Sequence, residues 1–567
     1  MTLGITKRKS IFKTPDTKNA AGGSAFSLSD ASVRLLHIVG APGFNEPRSF
    51  YTIPETKNPA KTRAFKNSFD SLAGNAKEIV ATAIEIAESS NARDLLAIAH
   101  WLRKEGHCRQ TPLVLLAVAA YVRNSRGLVR EYAPLIIQRA DELAGAYAAY
   151  RYLFGKPIPS TFLKGIRDSF GKFDEYQLIK YNQPGKTPNL KDLLLQMPDR
   201  KPGKPVSRGM AEFLMNGTVV DRHGADHSDS APLVAAHLKF LNAAKHATSF
   251  DVEMQSLAEN AKATWETVIS LFGGSETTWS NVFPRMGYMA VLRNIRNMIQ
   301  AGVPADKIAA RIADEKSVLR SKQFPFRFVA ASNEISQATG FDIKSRQVIL
   351  DALSIALEFS VRNIGTIPGD SIIMADCSGS MLNRIAGKSK MNCKTVAATM
   401  AAILAKACES PFVYAFGSEM ELLNILKTDS VSSIIEKILS AQVGGATYAY
   451  KPFYHAVKNG LKADRIVLLS DMQCYGRSPY FYSDYQRKIG ANLSVATGLR
   501  DYKNRINRDV WVHSVNLNSH DSSAQVAGDE RHVNLVSGFS DKILSLFLEA
   551  ERGGAEIPTL SYIRENF

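Results

Sequence analysis

The sequence predicts two architectures in one chain: a long all-helical N-terminal part, then an open, doubly wound α/β sheet. Two observations carry this. Between residues 76 and 361 apolar residues recur at helical spacing in segment after segment, and strand-like runs are nearly absent. Beyond residue 365, short β-rich runs alternate with helical ones, as parallel strands joined by crossover helices do. Successive helices on short connections suit a stacked α-solenoid of HEAT type, although no clean repeat period is present.

Taken in order, residues 1–30 are rich in Lys, Thr, Ser, Ala and Gly without periodicity and read as a mobile tail. A Pro-containing stretch (41–61) leads into the helical domain, placed at 31–364. Its helices are predicted over 76–88, 94–103, 113–122, 133–154, 161–170, 176–181, 190–196, 210–215, 231–244, 256–271, 288–300, 306–316 and 345–361. Thr111-Pro112 opens the third of these, with proline near a helix N-terminus. In the second domain, 365–567, strands are predicted over 371–376, 412–417, 465–470 and 510–517, and helices over 393–410, 431–440, 450–462 and 541–552.

A hydrophobic content of 45% and a charged content of 22% fit a soluble globular protein. No apolar run approaches the roughly 18–20 residues of a membrane span, and the N-terminus (M-T-L-G-I-T-K-R-K-S) lacks the apolar core of a signal peptide. Cys108, Cys377, Cys393, Cys408 and Cys474 show no C-x-x-C spacing. They point to free thiols in a reducing compartment, so the cytoplasm is the expected location. The net charge of +16 is lopsided. Residues 1–364 hold 48 Lys+Arg against 34 Asp+Glu, residues 365–567 only 22 against 20, and residues 151–210 concentrate 12 against 5. Such an excess is the footprint of a polyanion-binding domain. Nucleic acid fits before an anionic membrane, because no basic amphipathic helix accompanies it; basic surface also serves plain solubility.

The most specific site lies where the run 371–376 (S-I-I-M-A-D) ends in the polar loop Asp376-Cys377-Ser378-Gly379-Ser380-Met381. One carboxylate and two hydroxyls gather at the carboxyl end of a buried strand, where ligands of doubly wound sheets collect. Asp471 ends the run 465–470 in the same way, and Thr447, in Gly444-Gly445-Ala446-Thr447, adds an oxygen just before a helix. Hard oxygen donors of this kind suit Mg²⁺ or Mn²⁺. The bland reading is that the hydroxyls only cap helices and tighten turns. A second D-x-S-x-S, Asp226-His227-Ser228-Asp229-Ser230, has no strand leading into it, and His223 with His227 makes a weak metal set. There is no nucleophile elbow, no histidine with base-like spacing and no phosphate-binding glycine loop, so no enzymatic activity is expected.

Asp376, Ser378, Ser380, Thr447 and Asp471, in that order, resemble the metal-ion-dependent adhesion site of a von Willebrand factor A domain. The resemblance implies that the hydroxyls bind a divalent cation directly and that the aspartates act partly through water. It also implies an open position for a partner's carboxylate. Gly445-Ala446-Thr447 departs from the commoner Gly-Gly-Thr. Three upstream segments are similar to the TROVE module of the Ro autoantigen family: Leu102-Arg103-Lys104-Glu105 with Arg109-Gln110-Thr111-Pro112, Lys172-Phe173-Asp174-Glu175-Tyr176-Gln177-Leu178 with Leu190-Lys191-Asp192-Leu193-Leu194, and Trp279 with Arg293-Asn294-Ile295-Arg296. In Ro proteins an A domain follows the TROVE module directly, and Asp376 begins its motif in that place.

That resemblance implies a HEAT-like helical ring closed by the A domain. A basic outer surface would take small noncoding RNA (Y or Y-like), and a central hole the single-stranded 3′ ends of misfolded RNA. The resemblance also implies a role in RNA quality control, as a monomer, with an exoribonuclease as the kind of partner that bacterial members can use. The expected RNA contacts are Lys164, Arg167, Lys172, Lys180, Lys186, Lys191, Arg200, Lys201, Lys204 and Arg208, with Arg293 and Arg296 at the hole. Each is weighed against plain solvated surface. Tyr181 is either a base-stacking ring or core. Where animal Ro proteins use a histidine for Y RNA, this chain reads Gln196-Met197-Pro198-Asp199-Arg200, so that surface is altered or serves another small RNA. The competing reading is a metal-dependent protein-interaction module whose A domain recruits a partner. A ribonuclease with an unrecognised site stands third.

Overall fold

The computed structural model describes residues 15–19, 22–39, 41–42, 75–106, 108–155, 157–196, 206–340, 342–384, 391–474, 493–517, 524–528, 530–539, 547–548, 550–552 and 558–567. The chain divides into two compact units, 46–360 with Phe567, and 1–45 with 361–566.

Among its described residues the named elements of the first unit are all helices. Its innermost element is the helix Thr111–Tyr121, apolar on every side and buried from Thr111 to Ala120, as a helix surrounded by other helices must be. The helices Asn75–Glu88, Ala92–Lys104, Val129–Ile136 and Ala140–Phe154 pack around it. Arg103 forks onto Glu142 at 3.1 and 2.9 Å, and the same carboxylate accepts from the N–H groups of Gln138 (2.8 Å) and Arg139 (3.2 Å). One buried acid thus starts the Ala140–Phe154 helix and ties it to its neighbour. Arg103, prominent as a sequence signature, is therefore a packing device.

Three segments expected as single helices are each two. The break in 133–154 falls at Glu142's cap. In 256–271, Lys262 adopts φ +47° and the Thr264 hydroxyl caps Trp265–Phe272. In 306–316, Asp314 caps Glu315–Ser321. A side-chain cap inside an apolar-periodic stretch restarts the helix without breaking the pattern, so periodicity alone merges the pair. The helices Glu276–Val282 and Pro325–Gln337 add to the expected set.

The second unit holds the α/β sheet. At its start, β1 (Thr17–Lys18) and β2 (Ser24–Ala25) form an antiparallel hairpin, followed by the helix Ala31–Val39. The remaining strands are β3 (Ala41–Pro42), β4 (Ile367–Asp376), β5 (Cys408–Phe416), β6 (Met420–Leu422), β7 (Arg465–Ser470), β8 (Trp511–Asn516) and β9 (Val533–Phe539), in the spatial order β3-β9-β8-β7-β4-β5-β6. Among the described residues every neighbouring pair is parallel except β5–β6. Ile372 and Met374 of β4 join Leu468 and Val512 under Phe453, Leu499 and Tyr502, from the helices Tyr450–Lys458 and Val495–Arg505. The Ala-rich helix Cys393–Ala407, almost wholly buried, packs against β4 and β5. Both faces are covered, which is why the strands read as continuous apolar runs.

Two expectations are corrected here. The described part of 1–30 is not a tail: Asp16 and Ala25 are bonded across the hairpin, and Phe26 pairs with Ala524. Residues 31–42, assigned to the helical domain, belong instead to the sheet unit, where β3 extends the edge beside β9. Short polar strands carry no periodicity of their own, so only their partners reveal them. Strand β9 and the helix Val495–Arg505 also went unpredicted. The predicted helix over 541–552 lies only partly within the described residues, which are helical at 547–548 and 550–552.

Candidate functional site

Parallel pairing places Ala375 of β4 opposite Leu469 of β7, so Asp376 and Asp471 emerge from adjacent strands at the same end of the sheet. Asp376 is fully buried. Its carboxylate accepts from the Ser378 N–H (2.9 Å) and the Ser470 hydroxyl (2.5 Å). The Ser378 and Ser380 hydroxyls lie 3.3 Å apart. The Gly379 N–H donates to Gly445 O at 2.8 Å, drawing this loop to the one that carries Thr447. Thr447 and Asp471 are buried, and Asp471 accepts from the Gln473 N–H at 3.2 Å. Burial first, and the neighbouring Asp471 second, push the Asp376 carboxyl up to about 7.

This donor set fits a hard divalent cation. Two desolvated carboxylates side by side are unfavourable unless positive charge or a proton offsets them, and three hydroxyls supply neutral oxygens around them. Among the described residues there is no group of three or more His, Cys, Asp and Glu able to hold a metal. The set here is built from hydroxyls instead. Cys377, Cys393 and Cys474 lie nearby, but burial keeps all three thiols neutral, pushing Cys377 and Cys393 up to about 12. Soft thiolate coordination and nucleophilic sulfur chemistry therefore do not arise at rest.

The structure sorts the predicted basic residues into two groups. Lys164, Lys180, Lys186, Lys191 and Arg293 are exposed, with no carboxylate partner among the described residues. The others are engaged. The Lys172 ammonium donates to Pro134 O and, at 2.8 Å, to Ile137 O, and burial pulls its pKa down. It closes the end of the helix Val129–Ile136. Arg208 reaches Asp221 at 2.7 Å, Arg296 reaches Glu334 at 3.3 Å, and Arg167 lies 3.7 Å from Asp168. Tyr181 lies beneath the Arg139 guanidinium at 4.3 Å, with the Lys180 ammonium at 5.6 Å. His227 bonds Asp221 at 3.0 Å, which accounts for it without a metal. Arg200, Lys201 and Lys204, with the 197–199 stretch beside them, lie outside the described residues.

Comparison with known proteins now bears on the whole. The TROVE domain matches residues 257–418, and the Ro60 vWA domain matches residues 371–547. With these two matches the chain is similar to TROVE proteins of the Ro type. Telomerase protein component 1 is a similar curated protein: that of Rattus norvegicus is 25% identical over 290 residues and that of Mus musculus 24% over 297. Each match takes in 43% of this chain and 11% of the relative, so the chain spans about a tenth of these relatives' length. The crystal structure of Deinococcus radiodurans RO (RSR) protein superposes with a TM-score of 0.64, covering 93% of this chain and 100% of that one. At 16% identity this shows a shared fold.

The TROVE match begins downstream of the signatures at 102–116 and 172–194, where likeness rests on the fold. One residue escaped sequence reasoning. Arg327, on the helix Pro325–Gln337, is half-buried, and its pKa is lowered by burial and by the charge of Arg293. Two guanidiniums near one another add to the positive field at Arg293. Only the packing of two helices distant in sequence brings them together.

Proposed function

We propose that this Ro-like chain is an RNA-binding protein that recognises small noncoding RNA and RNA ends, without catalysis of its own. The observation that carries this is a TROVE match and a Ro60 vWA match in one chain whose helical unit also concentrates 12 basic against 5 acidic residues in 151–210. Phosphates of a structured RNA, Y or Y-like, would lie against Lys164, Lys180, Lys186 and Lys191. A single-stranded 3′ end of a misfolded RNA would pass Arg293 and Arg327 in a hole too narrow for a duplex, so that shape and a free end select the RNA. Quality control of RNA, as a monomer in the cytoplasm and beside an exoribonuclease, is the setting this implies. The five buried free thiols accord with a reducing compartment.

The A domain would hold Mg²⁺ or Mn²⁺ through Ser378, Ser380 and Thr447, with Asp376 and Asp471 balancing its charge. A bound cation supplies an electrophilic position for a partner's carboxylate. Metal-dependent recruitment of a protein partner is thus the second reading, favoured by the buried Asp376/Asp471 pair. The deciding experiment is a gel-shift titration with a structured RNA bearing a single-stranded 3′ tail and with its blunt twin, with and without EDTA. Tight tail-dependent binding that survives EDTA and Asp376→Ala supports the RNA reading. Weak binding to both RNAs, with partner capture lost in EDTA, would replace it by the second.

A further inference from the structure

The loop after Asp471 is held from the far end of the chain. Asn19, in the turn between β1 and β2, is buried, and its side chain faces two ways. Its carbonyl oxygen accepts from the Gly23 N–H at 2.8 Å, closing its own turn. Its amide donates to Met472 O at 3.0 Å and to Cys474 O at 2.9 Å. The Gln525 amide donates to the same Met472 carbonyl at 2.7 Å, and Gln525 follows Ala524, which pairs with Phe26. Gly23 lies so close that a Cβ there would sit 1.9 Å from Cys474 O. Only glycine permits that approach.

The clamped loop is strained and adjoins the cation site. Met472 adopts φ +61°, a left-handed conformation that side chains with a Cβ disfavour. Its N–H donates to the Ser470 hydroxyl at 3.1 Å, and that hydroxyl donates in turn to Asp376. An unsupported loop would relax at Met472, and Ser470 and Asp471 just before the bend would move with it.

We infer that the N-terminal hairpin is a positioning device for the cation site, with Asn19 and Gly23 as positioning residues that hold Asp471 opposite Asp376. The inference rests on the metal reading above and adds to it a dependence on Asn19, which lies 453 positions from the Met472 it holds. Groups that orient a metal's ligands from behind typically alter affinity by about 10–100-fold when removed.

The test uses the full chain. Asn19→Ala, Gly23→Ala and Asn19→Asp are compared with wild type by Mn²⁺ calorimetry, by the luminescence lifetime of bound Tb³⁺, which counts waters on the ion, and by amide exchange at 470–474. Asn19→Asp keeps the acceptor that closes the hairpin and replaces the donor to the loop by a carboxylate oxygen facing the Met472 and Cys474 carbonyls. It is expected to match Asn19→Ala: Mn²⁺ binding weaker by about tenfold, a shorter Tb³⁺ lifetime and faster exchange. Gln525→Ala, a milder change that leaves the hairpin intact, shifts all three readouts the same way by a smaller factor and decides the matter if Asn19→Ala fails to fold. Faster exchange with unchanged Mn²⁺ affinity and Tb³⁺ lifetime makes the hairpin a mere brace and overturns the inference. A wild-type chain that binds neither ion overturns the metal reading and this inference together.

Discussion

Replacing Lys164, Lys180, Lys186 and Lys191 together by alanine removes four exposed ammonium groups that no described carboxylate holds. Each phosphate contact contributes about 0.7 (single strand) to 0.9 (duplex) to the slope of log affinity against log salt, so four contribute about 3. Extrapolated from about 1 M salt, where this contribution vanishes, to about 0.15 M, a slope of 3 is worth roughly two and a half decades of affinity. The quadruple variant is therefore expected to bind a structured, 3′-tailed RNA roughly 100-fold or more weakly near 0.15 M salt, and to converge on wild type as salt rises. Its stability should stay within about 0.5 kcal/mol of wild type, since these side chains are solvated. The assay is a gel-shift titration at four salt concentrations. Arg167→Ala with Arg208→Ala is the comparison, because those guanidiniums lie beside Asp168 and Asp221. A quadruple variant with the wild-type slope, or a larger loss in the comparison pair, would refute the reasoning.

Further outcomes follow from groups away from the RNA surface. Lys172→Met should lower thermal stability by about 1–2 kcal/mol, the worth of charge-assisted bonds to helix-end carbonyls, and leave RNA affinity within a few-fold; a melt and a gel shift together check both halves. In the sheet unit, Glu551 takes Arg465 at 2.7 and 2.9 Å and His513 at 3.0 Å. Burial raises the Glu551 carboxyl, but the bonds from Arg465 and His513 outweigh it and hold it at about 2, against an ordinary 4.5. Burial keeps His513 itself neutral, so the compensating charge is Arg465. A depressed carboxylate stabilises fully above its unfolded pKa, and that stability drains as pH falls toward the folded one. About 3 kcal/mol should be lost between roughly pH 5 and pH 2, visible in acid titrations of unfolding and missing from Glu551→Gln. All five cysteines are buried, so a thiol reagent should label the native chain far more slowly than the denatured one; fast labelling of Cys377 or Cys393 would contradict their raised pKa values.

Much of the fold was legible in the sequence because its signals are local. The apolar runs at 371–376 and 465–470 mark strands buried on both faces, and the polar Asp-x-Ser-x-Ser that follows the first can only be a loop at a strand's carboxyl end. Helical spacing likewise marks Tyr288–Gln300 and Leu190–Gln196 to their observed ends. The placement of Asp376 and Asp471 at one end of the sheet was readable too, since each closes its own apolar run.

What tertiary structure alone decided is which groups meet. Sequence lists Lys172 and Lys164 as equivalent cations, yet one is spent on the carbonyls of Pro134 and Ile137 and the other is left to solvent. The hairpin of β1 and β2 has neither the length nor the apolar alternation to be seen as a strand pair. It exists because Met472, Cys474 and Ala524 offer it partners from the other end of the chain. Periodicity is a property of neighbours along the backbone, whereas a satisfied carbonyl or a neutralised charge is a property of neighbours in space. The residues of this protein that carry chemistry are sorted by the second.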